Sequence, residues 1–387
     1  MAAGSERTQF SRLRILHLGF EDHRRPGSGG GSARNRAVNA RLARHHDITM
    51  VTARYPGAED RVEDGVRHVH LGIGRGYMVS LLSYFACLPW FLLRHSRHHD
   101  LVVEEFAAPL GSVSAPRWTR RPTLAVVQWL DAAGKSRQYH LPFLAFESLG
   151  LRSHRRAVAV SHDLADQIGS RAPALRVDVV PNGVEPEAFE VSEPDSGDVV
   201  YLGRLEIAQK GLDLLCEAWA RAADRIGGRL LIAGDGPDRA RLERLCERLG
   251  IADSVVMLGR VEGEEKLRLL AGARVVAMPS RYETFGMVAV EALACGSPVV
   301  AYAIPCLREV VPEGSGVLVT DLLDAGAYAE ALAAAWHDPG LKARAAGSGR
   351  DFARRFEWDA IAREQEAVYL DVARAGAASR PAPAERR

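Results

Sequence analysis

Apolar residues in this chain fall in short runs closed by glycine or by polar turns, the pattern of strands buried on both faces. The first run, Leu13–Leu18 (LRILHL), ends at Gly19. A polar, glycine-rich stretch (EDHRRPGSGGGS) follows, then a helical pattern predicted from about Ala33 to Arg44 and a second strand over Asp47–Thr52. Strand, loop, helix and strand open a parallel α/β sheet. The alternation continues through Leu101–Phe106, Leu124–Leu130 and Ala157–Ser161, with helical turns from Asp163 to Ile168. Leu175–Val180 then leads into Pro181-Asn182-Gly183-Val184, a turn signal.

A second series starts after a polar stretch with two prolines, residues 185–197 (EPEAFEVSEPDSG). Its strands are expected at 199–203, 229–234, 254–259, 274–280 and 298–302, with helices at Gly211–Arg225 and Arg239–Leu249 among them. The inferred architecture is α/β, with two Rossmann-like domains of similar size. Residues 1–11 read as a disordered lead-in and 12–184 as the first domain. A linker covers 185–197 and the second domain 198–349. A final helical stretch, 350–373, carries Trp358 and Tyr369, and the tail 374–387, poor in apolar residues, is expected to be disordered.

A length of 387 residues exceeds what one core usually supports, so two domains also fit the size. The net charge of +1 offers no basic domain for nucleic acid. Charge is uneven, however. Residues 1–190 carry 25 Lys plus Arg against 19 Asp plus Glu, and the remainder 25 against 30, which leaves the first half able to meet an anionic partner. Only four basic residues are lysines (Lys135, Lys210, Lys266 and Lys342), so the position of each is informative. Five scattered cysteines without a CxxC pair argue against a disulfide framework or zinc site and fit a reducing cytoplasm. The N-terminus lacks the apolar stretch of a signal peptide. Tyr77–Leu93 is nearly uncharged, is interrupted by Pro89 and is followed by Arg94, His95, Arg97, His98 and His99. It is shorter than the ~20 residues of a membrane span and reads as a core or domain-surface helix. Its second use is peripheral contact with the inner face of a membrane, or with an apolar acceptor.

Two clusters carry the chemistry. In Arg281-Tyr282-Glu283-Thr284-Phe285-Gly286-Met287, Glu283 falls in the loop at the carboxyl end of a strand, where open α/β sheets bind ligands. A helix is expected from about Gly286. Free amides of Phe285, Gly286 and Met287 would face an anionic or hydroxylated ligand, and Glu291 would share a face with the first turn. In Gly203-Arg204-Leu205-Glu206-Ile207-Ala208-Gln209-Lys210-Gly211, Arg204 leaves a strand and Lys210 is expected to start a helix. A guanidinium, an ammonium and a helix N-terminus would stabilise charge growing on a diphosphate leaving group without metal. No DxD sequence supplies a magnesium ligand pair. Arg260 and Val261 close another strand and would offer backbone groups to a base. Gly29, Gly30 and Gly31 either let backbone approach a donor phosphate or the acceptor, or are merely flexible.

Together these residues resemble the retaining glycosyltransferase family 4, of the GT-B fold, over about residues 12–372. The most specific parts are Gly203-Arg204 with Lys210-Gly211, and the E-x7-E pattern from Glu283 to Glu291. The resemblance implies two Rossmann-like domains facing an interdomain cleft, the first for the acceptor and the second for a nucleotide-sugar, with a UDP-sugar favoured and no cofactor. Carried over, Arg204 and Lys210 bind the diphosphate, Glu283 and the Phe285–Met287 amides hold the donor sugar, and Glu291 holds the ribose. Asn182-Gly183-Val184 matches the domain-joining motif, and the final helix crosses back onto the first domain. The chain departs from the family where many members have a histidine at the end of the fourth strand, for here it reads Gln128. Glutamine is neither acid nor base but can hydrogen-bond a sugar hydroxyl. Retention in this fold is thought to proceed by front-face attack, which needs no such base. Glu105, Asp131 and His140 are further candidates for acceptor contact. The acceptor is either lipid-linked or a small soluble molecule. Rival readings are a nucleotide-sugar hydrolase, epimerase or phosphorylase on the same fold, and a dinucleotide oxidoreductase. The oxidoreductase would want GxGxxG directly after the first strand and a carboxylate where Thr52-Ala53-Arg54 stands.

Overall fold

The computed structural model describes residues 12–106, 115–130 and 143–378. Its chain divides into two units, the first of residues up to Pro181 together with those from Asp359 onward, the second Asn182–Trp358.

In the first unit the strands are β1 (Arg14–Leu18), β2 (Asp47–Ala53), β3 (Arg61–Glu63), β4 (Val66–Leu71), β5 (Leu101–Phe106), β6 (Thr123–Val127), β7 (Arg156–Ala159) and β8 (Arg176–Val179). They form one sheet in the order β3-β4-β2-β1-β5-β6-β7-β8, parallel except for the β3–β4 hairpin. Ile15 of β1 sits between Ile48 and Leu101 of its neighbours. Such central strands are apolar on both faces because helices cover both. Leu16, Leu18, Val51, Ala53 and Val102 pack with Tyr84, Leu88 and Leu92 of the helix Gly76–His95.

The second unit holds β9 (Val199–Leu202), β10 (Leu230–Ala233), β11 (Val255–Gly259), β12 (Val275–Met278), β13 (Val299–Tyr302) and β14 (Gly316–Val319), in the order β11-β10-β9-β12-β13-β14. Every pairing in this sheet is parallel. Its core includes the fully buried Trp219, whose indole donates to Ser254 Oγ at 2.9 Å.

Several boundaries differ from the sequence reading. The β3–β4 hairpin and β14 are additional strands. The expected linker 185–197 belongs to the second unit, and its Pro186–Phe189 turn buries Ala188 and Phe189. The final helical stretch is broken: Arg350–Ala353 ends in a 3-10 turn, and a new helix runs Trp358–Ala378. The break has a partner, since Val184 N–H donates to Phe356 O at 2.8 Å and Trp358 N–H to Val184 O at 3.2 Å. Residues 374–378, expected in a disordered tail, continue that helix. Residues 1–11 and 379–387 lie outside the described residues.

Candidate active site

Strand order reverses at β9 in the second unit: β10 and β11 lie to one side, β12, β13 and β14 to the other. Loops leaving the carboxyl ends of β9 and β12 diverge there and leave the crevice where open α/β sheets take ligands. The two sequence clusters are these loops. They are held together through Arg281, which pairs with Asp213 at 2.7 and 2.9 Å and donates to Ile207 O, while Arg281 N–H donates to Gln209 O. Gly211 permits the approach. It sits at φ +65°, and a Cβ there would lie 2.0 Å from Pro279 O.

The approach sets Lys210 Nζ 2.6 Å from Glu283 Oε1, which also accepts from Ser280 Oγ at 2.9 Å. A second pair stands beside the first cluster's E-x7-E pattern: Lys266 Nζ donates to Glu291 Oε1 at 2.8 Å. Gly286, at φ +93°, caps the helix Met287–Ala294, and its missing Cβ leaves room for Leu307. The first amides of that helix have no partner within it and lie at its positive end. Phe285 is buried with its ring edge against Phe356, so only its backbone is offered to a ligand. Arg204 is exposed and holds Glu206 at 2.6 Å and Gln209 at 3.1 Å. Burial, then the charge of Glu283, pushes the Tyr201 phenol well above its usual range, and its hydroxyl donates to Arg204 O at 3.0 Å.

The first unit repeats the arrangement. Its order reverses at β1, with β2 on one side and β5 on the other. Glu105 near the end of β5, Gln128 just beyond β6 and Asn35 of the helix Gly30–Leu42 meet there. Gln128 Nε2 donates to Glu105 Oε1 at 2.8 Å and to Gly31 O at 3.4 Å, and Asn35 Nδ2 donates to Glu105 Oε2 at 2.9 Å. A Cβ on Gly31 would lie 2.7 Å from Glu105 Oε1 and 3.2 Å from Gln128 Nε2, so glycine here makes room for the cluster. With the Gln128 amino group directed at Glu105 and Gly31, its Oε1 is the atom placed to accept from a hydroxyl. Burial pushes the Glu105 carboxyl up to about 7; the Asn35 hydrogen bond opposes this and the charge of Glu21 adds to it.

Under the loop between β1 and this helix, Asp22, His23 and His68 bring three donor atoms within 4.8 Å of one another. A cation is already present there. Arg61 grips Asp22 with two hydrogen bonds of 2.7 and 2.9 Å, and His70 and the Arg24 N–H complete its shell. Burial works to raise the Asp22 pKa, but the bonds from His70 and Arg61 outweigh it and hold the carboxyl well below its usual range. The group ties the loop to β3 and β4 instead of offering a vacant carboxylate to a metal.

The structure thus brings Lys210, Glu283 and the start of the Met287 helix to one strand switch, and Gly31, Glu105 and Gln128 to the other. Three placements differ from the sequence reading. Lys210 ends the one-turn helix Ile207–Lys210 instead of starting a helix. Gly30 and Gly31 form the first helical turn, with Gly29 as its cap. Arg260, exposed and paired with Glu262 at 2.6 Å, and Val261 follow the edge strand β11, two strands from the switch. Asp131 and His140 lie outside the described residues. Lys266, Ser280 and Asn35 were not singled out. Lysine scarcity was the available signal for Lys266, whereas the other two depend on tertiary proximity alone.

Two Rossmann-like units in one chain, each with a polar cluster at its strand switch, define the GT-B class of glycosyltransferase. Residues 28–188 match the family model described as Glycosyltransferase Family 4, and residues 185–352 the model described as Glycosyl transferases group 1. The D-inositol 3-phosphate glycosyltransferase of Xylanimonas cellulosilytica is 35% identical over 97% of this chain and 99% of its own length. An uncharacterized glycosyltransferase of Methanocaldococcus jannaschii is 32% identical over 58% of this chain; that alignment spans 62% of the archaeal protein, less than two thirds of it. Among solved structures, the sucrose-phosphate synthase from Thermosynechococcus elongatus has a TM-score of 0.79 at 24% identity, covering 94% of this chain and 100% of its own. Anabaena HepE in complex with UDP and glucose has a TM-score of 0.74 at 19% identity, covering 93% and 100%. The chain belongs to glycosyltransferase family 4, and its second half carries the group 1 glycosyl transferase domain.

Proposed function

We propose that the protein transfers a sugar from a UDP-sugar to an acceptor hydroxyl, with retention at the anomeric carbon and without a resident metal. The observation that carries this reading is the pair of lysine–glutamate contacts flanking the strand switch of the second unit, beside a helix N-terminus. Arg204 and Lys210 hold the diphosphate, Glu283 and the Phe285–Met287 amides hold the sugar, and Glu291 holds the ribose, with Lys266 fixing its carboxylate. As the bond from the anomeric carbon to phosphate oxygen breaks, negative charge grows on the leaving UDP. Lys210, Arg204 and the helix dipole meet that charge. The acceptor oxygen bonds to the anomeric carbon from the same face and its proton passes to the departing phosphate. In the first unit, Gln128 Oε1 accepts from a sugar hydroxyl and Glu105 holds the amide in that orientation. Complexes of the structural neighbour HepE with UDP and glucose support the choice of donor base.

The test is a panel of nucleotide-sugars scored for thermal stabilisation and UDP release, with and without chelator. The expected result is stabilisation by a UDP-sugar and turnover indifferent to chelator. Loss of turnover in chelator with rescue by a divalent ion would refute the metal-free scheme, and a preference for another base would refute the donor.

A further inference from the structure

The helix Gly76–His95 has two opposed faces. Ser80, Tyr84, Leu88 and Leu92, four residues apart, are 1, 2, 2 and 0% exposed, and the last three lie in the core of the first unit. On the other side Met78, Leu82, Trp90 and Leu93 are 59, 57, 72 and 58% exposed, and Ala86 between them is exposed too. Steps of four from Met78 reach Leu82, Ala86, Trp90 and then Arg94, so these side chains form one stripe that ends in a cation.

The exposed charges at that end are basic; Asp100, the next acidic residue along the chain, is paired with Arg14 at 3.0 Å. Arg94 and Arg97 are exposed, and Arg97 lies four residues beyond Leu93. Segment 115–121 is fastened to the same end, through Thr119 Oγ1 donating to Ser96 Oγ at 2.9 Å and Arg121 donating to Arg97 O, and it adds the exposed Arg117 and Arg120. Residues 73–99 and 115–123 contain no aspartate or glutamate.

We infer that this face seats on an anionic lipid bilayer. The helix lies in the plane of the interface, with Met78, Leu82, Trp90 and Leu93 at the acyl boundary and the arginines at the lipid phosphates. The helix is long and apolar enough to cross a bilayer, but spanning would require Tyr84, Leu88 and Leu92 to leave the core of the first unit. A second copy of the chain would set one arginine cluster against another, whereas an anionic surface neutralises it. The inference stands apart from the donor assignment: vesicle binding is read without nucleotide-sugar, and nucleotide-sugar stabilisation without vesicles.

The experiment is flotation of the full chain with vesicles of phosphatidylcholine alone or mixed equally with phosphatidylglycerol, at about 50 mM and about 500 mM salt. Wild type is expected to float with the anionic vesicles at low salt, and at least ~10-fold less with neutral vesicles or at high salt. Leu82→Ser with Trp90→Ser, and separately Arg94→Glu with Arg97→Glu, should each reduce binding at least ~10-fold. Both double variants should keep the wild-type melting temperature because the replaced side chains are exposed. Wild type remaining unbound with anionic vesicles at low salt would overturn the inference, as would a Leu82→Ser, Trp90→Ser protein that floats like wild type. A concentration-dependent dimer in sedimentation velocity, abolished by the same apolar replacements, would also overturn it by assigning the face to a second copy.

Discussion

Lys210 and Glu283 lie 73 positions apart, yet they share a hydrogen bond of 2.6 Å at the strand switch. Replacing either changes two things at once. On the proposed assignment, Lys210→Ala removes a cation for the leaving diphosphate and leaves Glu283 with only its Ser280 hydrogen bond, and Glu283→Ala removes a sugar contact and frees the ammonium. Each is expected to lower turnover at least ~100-fold, the scale of losing one transition-state donor, without unfolding the chain. UDP release by a variant with wild-type circular dichroism is the measurement, and near-normal turnover would remove that residue from the mechanism. Glu105 gives a prediction in pH. Burial pushes its carboxyl up to about 7 in the folded chain, from an ordinary value of 4.5. Between those values the folded state keeps a proton that the unfolded state has lost, so stability from this group falls as pH rises and levels off above about 7. Glu105→Gln abolishes that loss. The melting temperature of the variant relative to wild type should therefore be higher at pH 8 than at pH 5, and an equal difference at both would show that Glu105 does not titrate this way. Single positions were legible where a motif fixed them, as with Glu283 and Glu291. Lys266 was not, because its contact with Glu291 spans 25 positions and two elements.

Elements were legible in proportion to how apolar they are. The strands expected at 101–106 and 298–302 read directly because both of their faces are buried. β3 and β4 did not, since Arg61, Glu63, His68 and His70 answer to the polar clamp on Asp22 and not to a core. A signal was present even so: Asp64-Gly65, both at positive φ, is the two-residue turn of a tight hairpin. The 185–197 stretch misled in the opposite way, since a polar, proline-bearing composition hid the buried Phe189. Gly211 shows what joins the loops after β9 and β12. Alanine there would combine a strained φ with a Cβ 2.0 Å from Pro279 O, a backbone atom unable to step aside. Gly211→Ala is expected to cost at least ~2 kcal/mol and to separate Lys210 from Glu283. Gly347→Ala, with nothing within 4 Å of its Cβ, should be near neutral. Urea unfolding of the two variants decides the matter: equal midpoints would mean that the close approach at Gly211 is not required.

At the level of the whole molecule, the two units differ in how the chain builds them. The second is continuous, Asn182–Trp358, and contains every residue assigned to the donor except Gly29, Gly30 and Gly31. The first is completed only when the helix from Trp358 returns to it. From that helix Ile361, Gln365 and Tyr369 are each 1% exposed. Gln365 Oε1 accepts from the buried Arg34 at 2.8 Å, Glu366 meets His46 at 2.9 Å, and Asp371 pairs with Arg156. Removing residues 359–387 would expose the apolar faces those side chains cover, at roughly 1.5–3 kcal/mol for each large one. It would also strip a partner from the Arg34 guanidinium, which burial has already pulled down to about 10. Those losses together approach the ~5–15 kcal/mol by which a domain is held folded. A chain ending at Trp358 is therefore expected to lose the cooperative melting of its first unit, while the fragment 182–358 folds alone and is stabilised by UDP, by about 2.7 kcal/mol at a hundredfold excess over Kd. Calorimetry with and without UDP checks both halves of the prediction. A truncated chain that melts like the full-length protein would show that the returning helix is dispensable. A folded 182–358 fragment indifferent to UDP would show that the donor site needs more than its own unit.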